Sequence, residues 1–201
     1  MTAGVLQRKR GAALEDAILE AAFAELSAAG YTAFTVEAVA GRARTGKASI
    51  YRRWATKQEL VLDALCNHLP TPKDCGIDLG DLDDSVTTVD ALRMVAQTMT
   101  SVLTSPAGDA MRAIKCEAVS DPELARTIDE RFQAPRRAAM IALLTRGVQR
   151  GEVRPEAATA LVADVLPAVL THRIVLQREP VTERDIHDII EQIFIPLVAV
   201  R

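Results

Sequence analysis

The chain has 201 residues, of which 49% are hydrophobic and only 3% aromatic, so it holds enough apolar material for a substantial core and disorder is excluded. Ala, Leu, Val and Ile carry that hydrophobicity and recur at helical spacing, which predicts an all-α protein. The net charge of -3 is unevenly divided: residues 1–57 hold nine Lys or Arg against five Asp or Glu (+4), and the remainder fifteen against twenty-two (-7). A basic front on an acidic body suggests that only the front meets a polyanion; ordinary surface charge is the competing explanation.

Met1 to Gly11 is polar and basic, unlike a signal peptide, and nowhere do eighteen uncharged apolar residues occur together. A soluble, cytoplasmic protein without a membrane partner is expected. Cys66, Cys75 and Cys116 are odd in number, far apart and without Cys-x-x-Cys pairing, which points to reduced thiols rather than a zinc or redox site.

In chain order, Leu14, Ile18, Ala22 and Leu26 predict an amphipathic helix from Gly11 that Gly30 stops, preceded by an Arg8-Lys9-Arg10 arm. Thr35 is placed to cap a second helix with Val36, Val39 and Ala40 inward, and Glu37 suits its positive first turn. After a link at residues 43–45, a third helix is expected from Lys47 to Trp54. A fourth starts near Thr56, whose spacing to Glu59 fits a capping box. Pro70 to Asp84 reads as an exposed loop. Helical patterns follow around residues 86–104, 109–119, 122–150, 156–176 and 182–200, with Pro135 and Pro167 expected to break or kink two of them.

The last pattern is the clearest: Ile186, Ile189, Ile190, Ile193, Phe194, Leu197 and Val198 follow the i, i+3, i+4, i+7 series. This face, beside Leu161, Val165 and Val169 of the preceding helix, suits either burial in the subunit or a four-helix interface between two copies. The dimer is favoured, with Leu161, Val165, Val169, Ile186, Ile190, Ile193, Phe194 and Leu197 as its interface.

The stretch from Thr35 to Leu60 supports two functions. Gly41, Gly46 and Lys47 match part of a G-x-x-x-x-G-K-[ST] phosphate loop. Ala48, however, stands where a hydroxyl must hold magnesium, and the preceding residues look like a capped helix rather than a strand. The alternative is a helix-turn-helix whose second helix enters a major groove about 12 Å wide. Lys47, Ser49, Tyr51, Arg52 and Arg53 supply donors there, while Ile50 and Trp54, spaced i to i+4, face the domain. A merely solvated basic face is the bland reading, weakened by the concentration of these residues on one short helix.

Over roughly residues 11–65 the segment resembles the DNA-binding domain of the tetracycline-repressor (TetR) family of transcriptional regulators. The resemblance is carried by Gly30-Tyr31, Phe34-Thr35-Val36, Ala40, Lys47-Ala48-Ser49-Ile50-Tyr51, Arg52-Arg53-Trp54, Lys57 and Glu59-Leu60. Weaker likenesses follow at Arg136-Arg137, at Gly151 with Arg154, and at His172-Arg173.

The resemblance implies a three-helix helix-turn-helix domain at residues 1–57 and a helical ligand-binding and dimerisation domain at 58–201. It implies a homodimeric repressor on an inverted-repeat operator in double-stranded DNA, released by a small-molecule effector, with no catalysis and no cofactor or metal. By position it implies DNA contacts for Thr35, Arg44, Thr45, Lys47, Ser49, Tyr51, Arg52 and Lys57. The turn Arg44-Thr45-Gly46 departs from the commonest Gly-Val-Ser form: Arg44 lacks a glycine's backbone freedom and Gly46 a capping hydroxyl.

Leu103, Met111, Ile114, Cys116, Phe132 and Met140 are plausible effector-pocket walls, though ordinary core packing is the stronger reading for each. His68, His172 and His187 form no metal pattern, and no Glu-x-x-His pair or Ser/His/Asp constellation is evident. A helical enzyme or cofactor carrier, or a helical interaction module, are the functions of other classes.

Overall fold

A computed structural model describes residues 3–69, 83, 85–177 and 179–200, with side chains from Gly11 onward. The Arg8-Lys9-Arg10 side chains, Cys75 and, apart from Asp83, the predicted loop Pro70 to Asp84 lie outside the described residues. All regular structure among the described residues is helical, and the chain divides into two compact units: residues 1–69 with 106–128, and residues 70–105 with 129–201. The first unit thus extends beyond residue 57 and takes in a later pair of helices.

In the first unit, α1 (Ala3–Ala33) begins earlier than its apolar pattern suggested. Gly30 still interrupts it, with φ 73° and ψ 170°, a left-handed backbone that glycine adopts without steric cost. Next come α2 (Val36–Arg42), α3 (Lys47–Tyr51) and α4 (Lys57–His68), then α6 (Pro106–Ala118) and α7 (Pro122–Ile128). Helix α1 packs on α2, α4 and α6, burying Ile18, Ala22 and Leu26 with Leu60, Ala64 and Ile114. Removing such side chains from water is the main source of the unit's stability.

The second unit is built from α5 (Thr88–Leu103), α8 (Ala134–Gln149), α9 (Ala160–Thr171), α10 (Glu183–Ile189) and α11 (Ile195–Val198). Helix α9 packs on α5 and α8, and α10 packs on α5. At Gly147 an added Cβ would fall 2.5 Å from Thr88 Oγ1 and 2.6 Å from Val153 Cγ2, so α8 approaches these residues through its missing side chain. The unpaired N–H of Thr88, in the first turn of α5, donates to Glu152 Oε2 at 2.7 Å. Burial alone would raise the Glu152 pKa, but hydrogen bonds from Thr88 and Arg150 outweigh it and lower the carboxyl to about 2.

Three prolines of the second unit act differently. Wide π-helical turns at Asp129–Gln133 and Ile190–Phe194 precede Pro135 and Pro196, where the missing proline N–H removes an ordinary helical bond. Pro167, expected to break or kink its helix, lies inside an α9 that continues to Thr171.

Candidate nucleic-acid interface

Thr35 begins α2 as expected, its hydroxyl oxygen accepting from the Ala38 N–H at 3.2 Å while its own proton stays available to an acceptor. The helix ends in a Schellman arrangement: the Arg44 N–H donates to the Gly41 carbonyl at 3.3 Å and the Thr45 N–H to the Ala40 carbonyl at 3.0 Å. Arg44 occupies the left-handed position usually given to glycine, with φ 51°, the one positive φ among non-glycine described residues. The irregular turn in the sequence is therefore a regular turn made with an unfavourable residue. Helix α3 starts at Gly46 without a side-chain cap, and the phosphate-loop reading falls because Gly41 belongs to α2 and no strand precedes it.

Helix α3 is shorter than predicted, ending at Tyr51, after which the Arg53 and Trp54 N–H groups close a turn on the Ile50 carbonyl. Ile50 and Trp54 are buried, and the indole N–H donates to Asp63 Oδ2 at 2.7 Å. These anchors face the domain and leave the opposite side of α3 outward, where Tyr51 is 51% exposed. Arg52 donates to Ser49 Oγ at 3.0 Å, Arg53 to the Ser49 carbonyl at 2.9 Å, and the Lys47 ammonium contacts the Glu37 carboxylate. Sequence reading assigned Glu37 only to the start of α2; its contact spans ten residues and two helices, beyond any i, i+4 rule.

The Lys57 side chain is engaged within its own unit. Its ammonium donates to the Tyr31 carbonyl at 2.7 Å and lies 4.2 Å from the Tyr31 ring centroid, so its charge braces the junction of α1 and α4. Tyr31 in turn donates to Glu117 Oε2 at 3.1 Å, and burial followed by this carboxylate raises its pKa. The start of α4 carries the predicted capping box: Thr56 Oγ1 accepts from the Glu59 N–H at 3.1 Å and Glu59 accepts from the Thr56 N–H at 3.4 Å.

Two family models match this chain. One, described as bacterial regulatory proteins of the tetR family, covers residues 18–64; the other, a tetracyclin repressor-like C-terminal domain, covers residues 82–193. The chain belongs to the TetR family. A DNA-binding transcriptional repressor TetR from Mycobacteroides abscessus is 34% identical over 168 residues, covering 83% of this chain and 85% of the relative. A putative TetR-family transcriptional regulator from Mesorhizobium loti superposes with a TM-score of 0.74 at 18% identity, covering 95% and 99% of the two chains. The regulator FadR from Bacillus subtilis, solved with stearoyl-CoA, gives 0.62 at 20% identity over 90% and 96%. This TetR-family chain is accordingly a DNA-binding transcriptional regulator with a helix-turn-helix.

The residues expected to line a pocket or an interface distribute unevenly. Met111, Ile114 and Cys116 belong to the first unit, the first two buried and Cys116 exposed; Leu103, Phe132 and Met140 belong to the second. Three of the six thus fall in each unit. Phe132 is covered by the Arg136 guanidinium, 3.7 Å from its ring centroid. A groove of about 780 Å³ opens along α8 between Ala138 and Arg150, and none of the six lines it.

Among the expected interface residues, Ile186, Ile190 and Phe194 are buried within the second unit itself, the last two at 0% exposure. They fill the subunit core rather than meet a partner, because the stripe of α10 and the following π turn packs inward. Leu161 is 79% exposed, and Val165, Val169, Ile193 and Leu197 are half-buried. Only 17% of the run Ala160–Gln177 is buried, and this run is long and apolar enough to cross a bilayer. Its charged residues are paired: Asp164 accepts from Arg137 at 2.8 Å, and Arg173 donates to Asp185 at 3.0 Å.

Proposed function

We propose that the protein is a homodimeric repressor that binds an inverted-repeat operator and is released by a small-molecule effector. The observation that carries the DNA half is the orientation of α3: Ile50 and Trp54 fix it inward, and Lys47, Tyr51 and Arg52 stand outward. In this reading Lys47, Ser49, Tyr51 and Arg52 enter the major groove, while Thr35, Arg44 and Thr45 hold the flanking phosphates. Lys57 meets phosphate through the backbone N–H groups of the first turn of α4, since its ammonium is engaged by Tyr31.

The dimer half rests on the incompletely covered apolar run Ala160–Gln177, where Leu161 is 79% and Leu176 71% exposed and Val165 and Val169 are half-buried. We assign the interface to Leu161, Val165 and Val169, joined by Ile193 and Leu197, in a two-fold arrangement that accounts for an inverted-repeat site. The stearoyl-CoA bound to the fold neighbour supports a small-molecule effector here, with Leu103, Phe132 and Met140 as wall candidates. An effector acts by favouring the form that does not bind DNA.

The test is gel-shift and sedimentation of native protein, Tyr51→Ala, and the double variant Leu161→Glu with Val165→Glu. The native dimer should shift an upstream fragment in a salt-sensitive way, Tyr51→Ala should remain a dimer but lose the shift, and the double variant should become a monomer that no longer shifts it. A native monomer, vesicle binding through the apolar run, or unaltered binding by Tyr51→Ala would contradict the reading.

A further inference from the structure

Three cations around α3, Arg42, Arg53 and Lys47, are paired with carboxylates of the same chain, and the pairs differ in kind. Arg42 of α2 donates at 2.8 Å to Glu25 of α1, whose side chain is nearly buried. Arg53 lies 4.0 Å from Glu15, a loose approach. Lys47 and Glu37 are in direct contact with side chains 52% and 61% exposed, on the side of the unit where α3 presents its donors. An exposed pair contributes little to folding, and this one supports no buried residue. It does place a carboxylate against the first cation of the recognition helix. Each group reinforces the other's charged state: the Lys47 hydrogen bond is the chief cause of a lowered Glu37 pKa, and Glu37 is the chief cause of a raised Lys47 pKa.

We propose that Glu37 is a built-in competitor for DNA, a specificity-determining residue whose carboxylate occupies the Lys47 ammonium until a nucleic-acid acceptor displaces it. The inference rests on α3 being the recognition helix. A duplex engaging Lys47 must break the Glu37 contact and bring phosphates near an uncompensated carboxylate. Where the sequence offers Lys47 a well-placed acceptor, such as guanine O6 and N7, the new contact offsets that loss. Where it offers only a distant phosphate, the loss stands. Glu37 therefore weakens binding to every duplex and weakens it most for those without the right base, widening the preference for the operator.

The experiment measures binding of the full-length protein by fluorescence anisotropy to a random-sequence duplex and to an upstream fragment, between about 50 and 200 mM salt. The proteins are native, Glu37→Gln, Lys47→Gln and the double variant. Glu37→Gln should tighten random-duplex binding about three- to ten-fold at low salt and steepen the log–log salt slope by about 0.9 per head, one extra phosphate neutralised. The upstream fragment should gain less, so the preference narrows. In the Lys47→Gln background Glu37→Gln should gain clearly less on either duplex, keeping only relief of the carboxylate–phosphate repulsion. Glu37→Ala should reproduce Glu37→Gln, with thermal midpoints lowered no more than loss of a first-turn carboxylate explains.

Unchanged affinity and slope on Glu37→Gln, or an equal gain with and without Lys47, would overturn the competitor role. Equal gains on both duplexes would overturn its role in discrimination. If the native protein itself binds no duplex in a salt-sensitive way, the assignment of α3 to DNA fails first and this inference with it. The native measurement separates the two failures.

Discussion

Helices α3 and α4 follow one another within the same unit, yet their starts are built by opposite means. Helix α4 is fixed locally: Thr56 and Glu59 close a reciprocal capping box that satisfies donors the helix cannot satisfy itself. Helix α3 starts at a glycine without a side-chain cap, after an arginine in a left-handed conformation, and spans only five residues. Such a helix has almost no stability of its own. It persists because Ile50 and Trp54 are buried beneath it and because Asp63 of α4 holds the indole N–H. The difference teaches that α3 is held from below by packing, which leaves its outer side chains exposed.

Removing that support should have the largest effect. Trp54→Ala leaves a cavity and deprives Asp63 of its donor, so a loss of about 3–5 kcal/mol in denaturant unfolding is expected, with DNA binding abolished. A loss under about 1 kcal/mol would mean that α3 does not depend on the anchor. Removing the α4 cap is the next step down: Thr56→Ala should cost about 1 kcal/mol, measured in the same way. The turn should respond in the other direction. Arg44→Gly relieves the left-handed backbone and should stabilise the unit by about 0.5–1 kcal/mol, while weakening DNA binding if Arg44 holds a phosphate. Smallest is Gly46→Ser, which supplies the missing cap hydroxyl and should add a few tenths of a kcal/mol. A destabilising Gly46→Ser would show that the turn cannot admit a side chain there.

Much of the fold was legible because it is encoded locally. Thr35, the Thr56–Glu59 box and Gly30 each act over a few residues, and the structure places each where spacing put it. The order of α2, turn and α3 was legible for the same reason, and the family resemblance over the head agrees with the matched models. What required the structure is interaction across the chain. The stripe Ile186, Ile190 and Phe194 is as apolar as an interface, and periodicity cannot distinguish a face covered by the same subunit from one covered by a partner. Lys57 has the right position for a phosphate, but Tyr31, twenty-six residues earlier, takes its ammonium. Glu37 was read through the dipole of its own helix, whereas its partner lies on the next one. Chain order did not reveal that α6 joins the first unit and α5 the second, so the six pocket candidates are divided between the units.

The central claim is that two copies of α3, related by a two-fold axis, read adjacent major grooves. Hydroxyl-radical footprinting of the native protein and Tyr51→Ala on the upstream fragment tests it most directly. The account predicts two protected segments related by a dyad and separated by about one helical turn, 34 to 36 Å, both lost with Tyr51→Ala. Uniform protection without a dyad, or a footprint that Tyr51→Ala leaves intact, would contradict it.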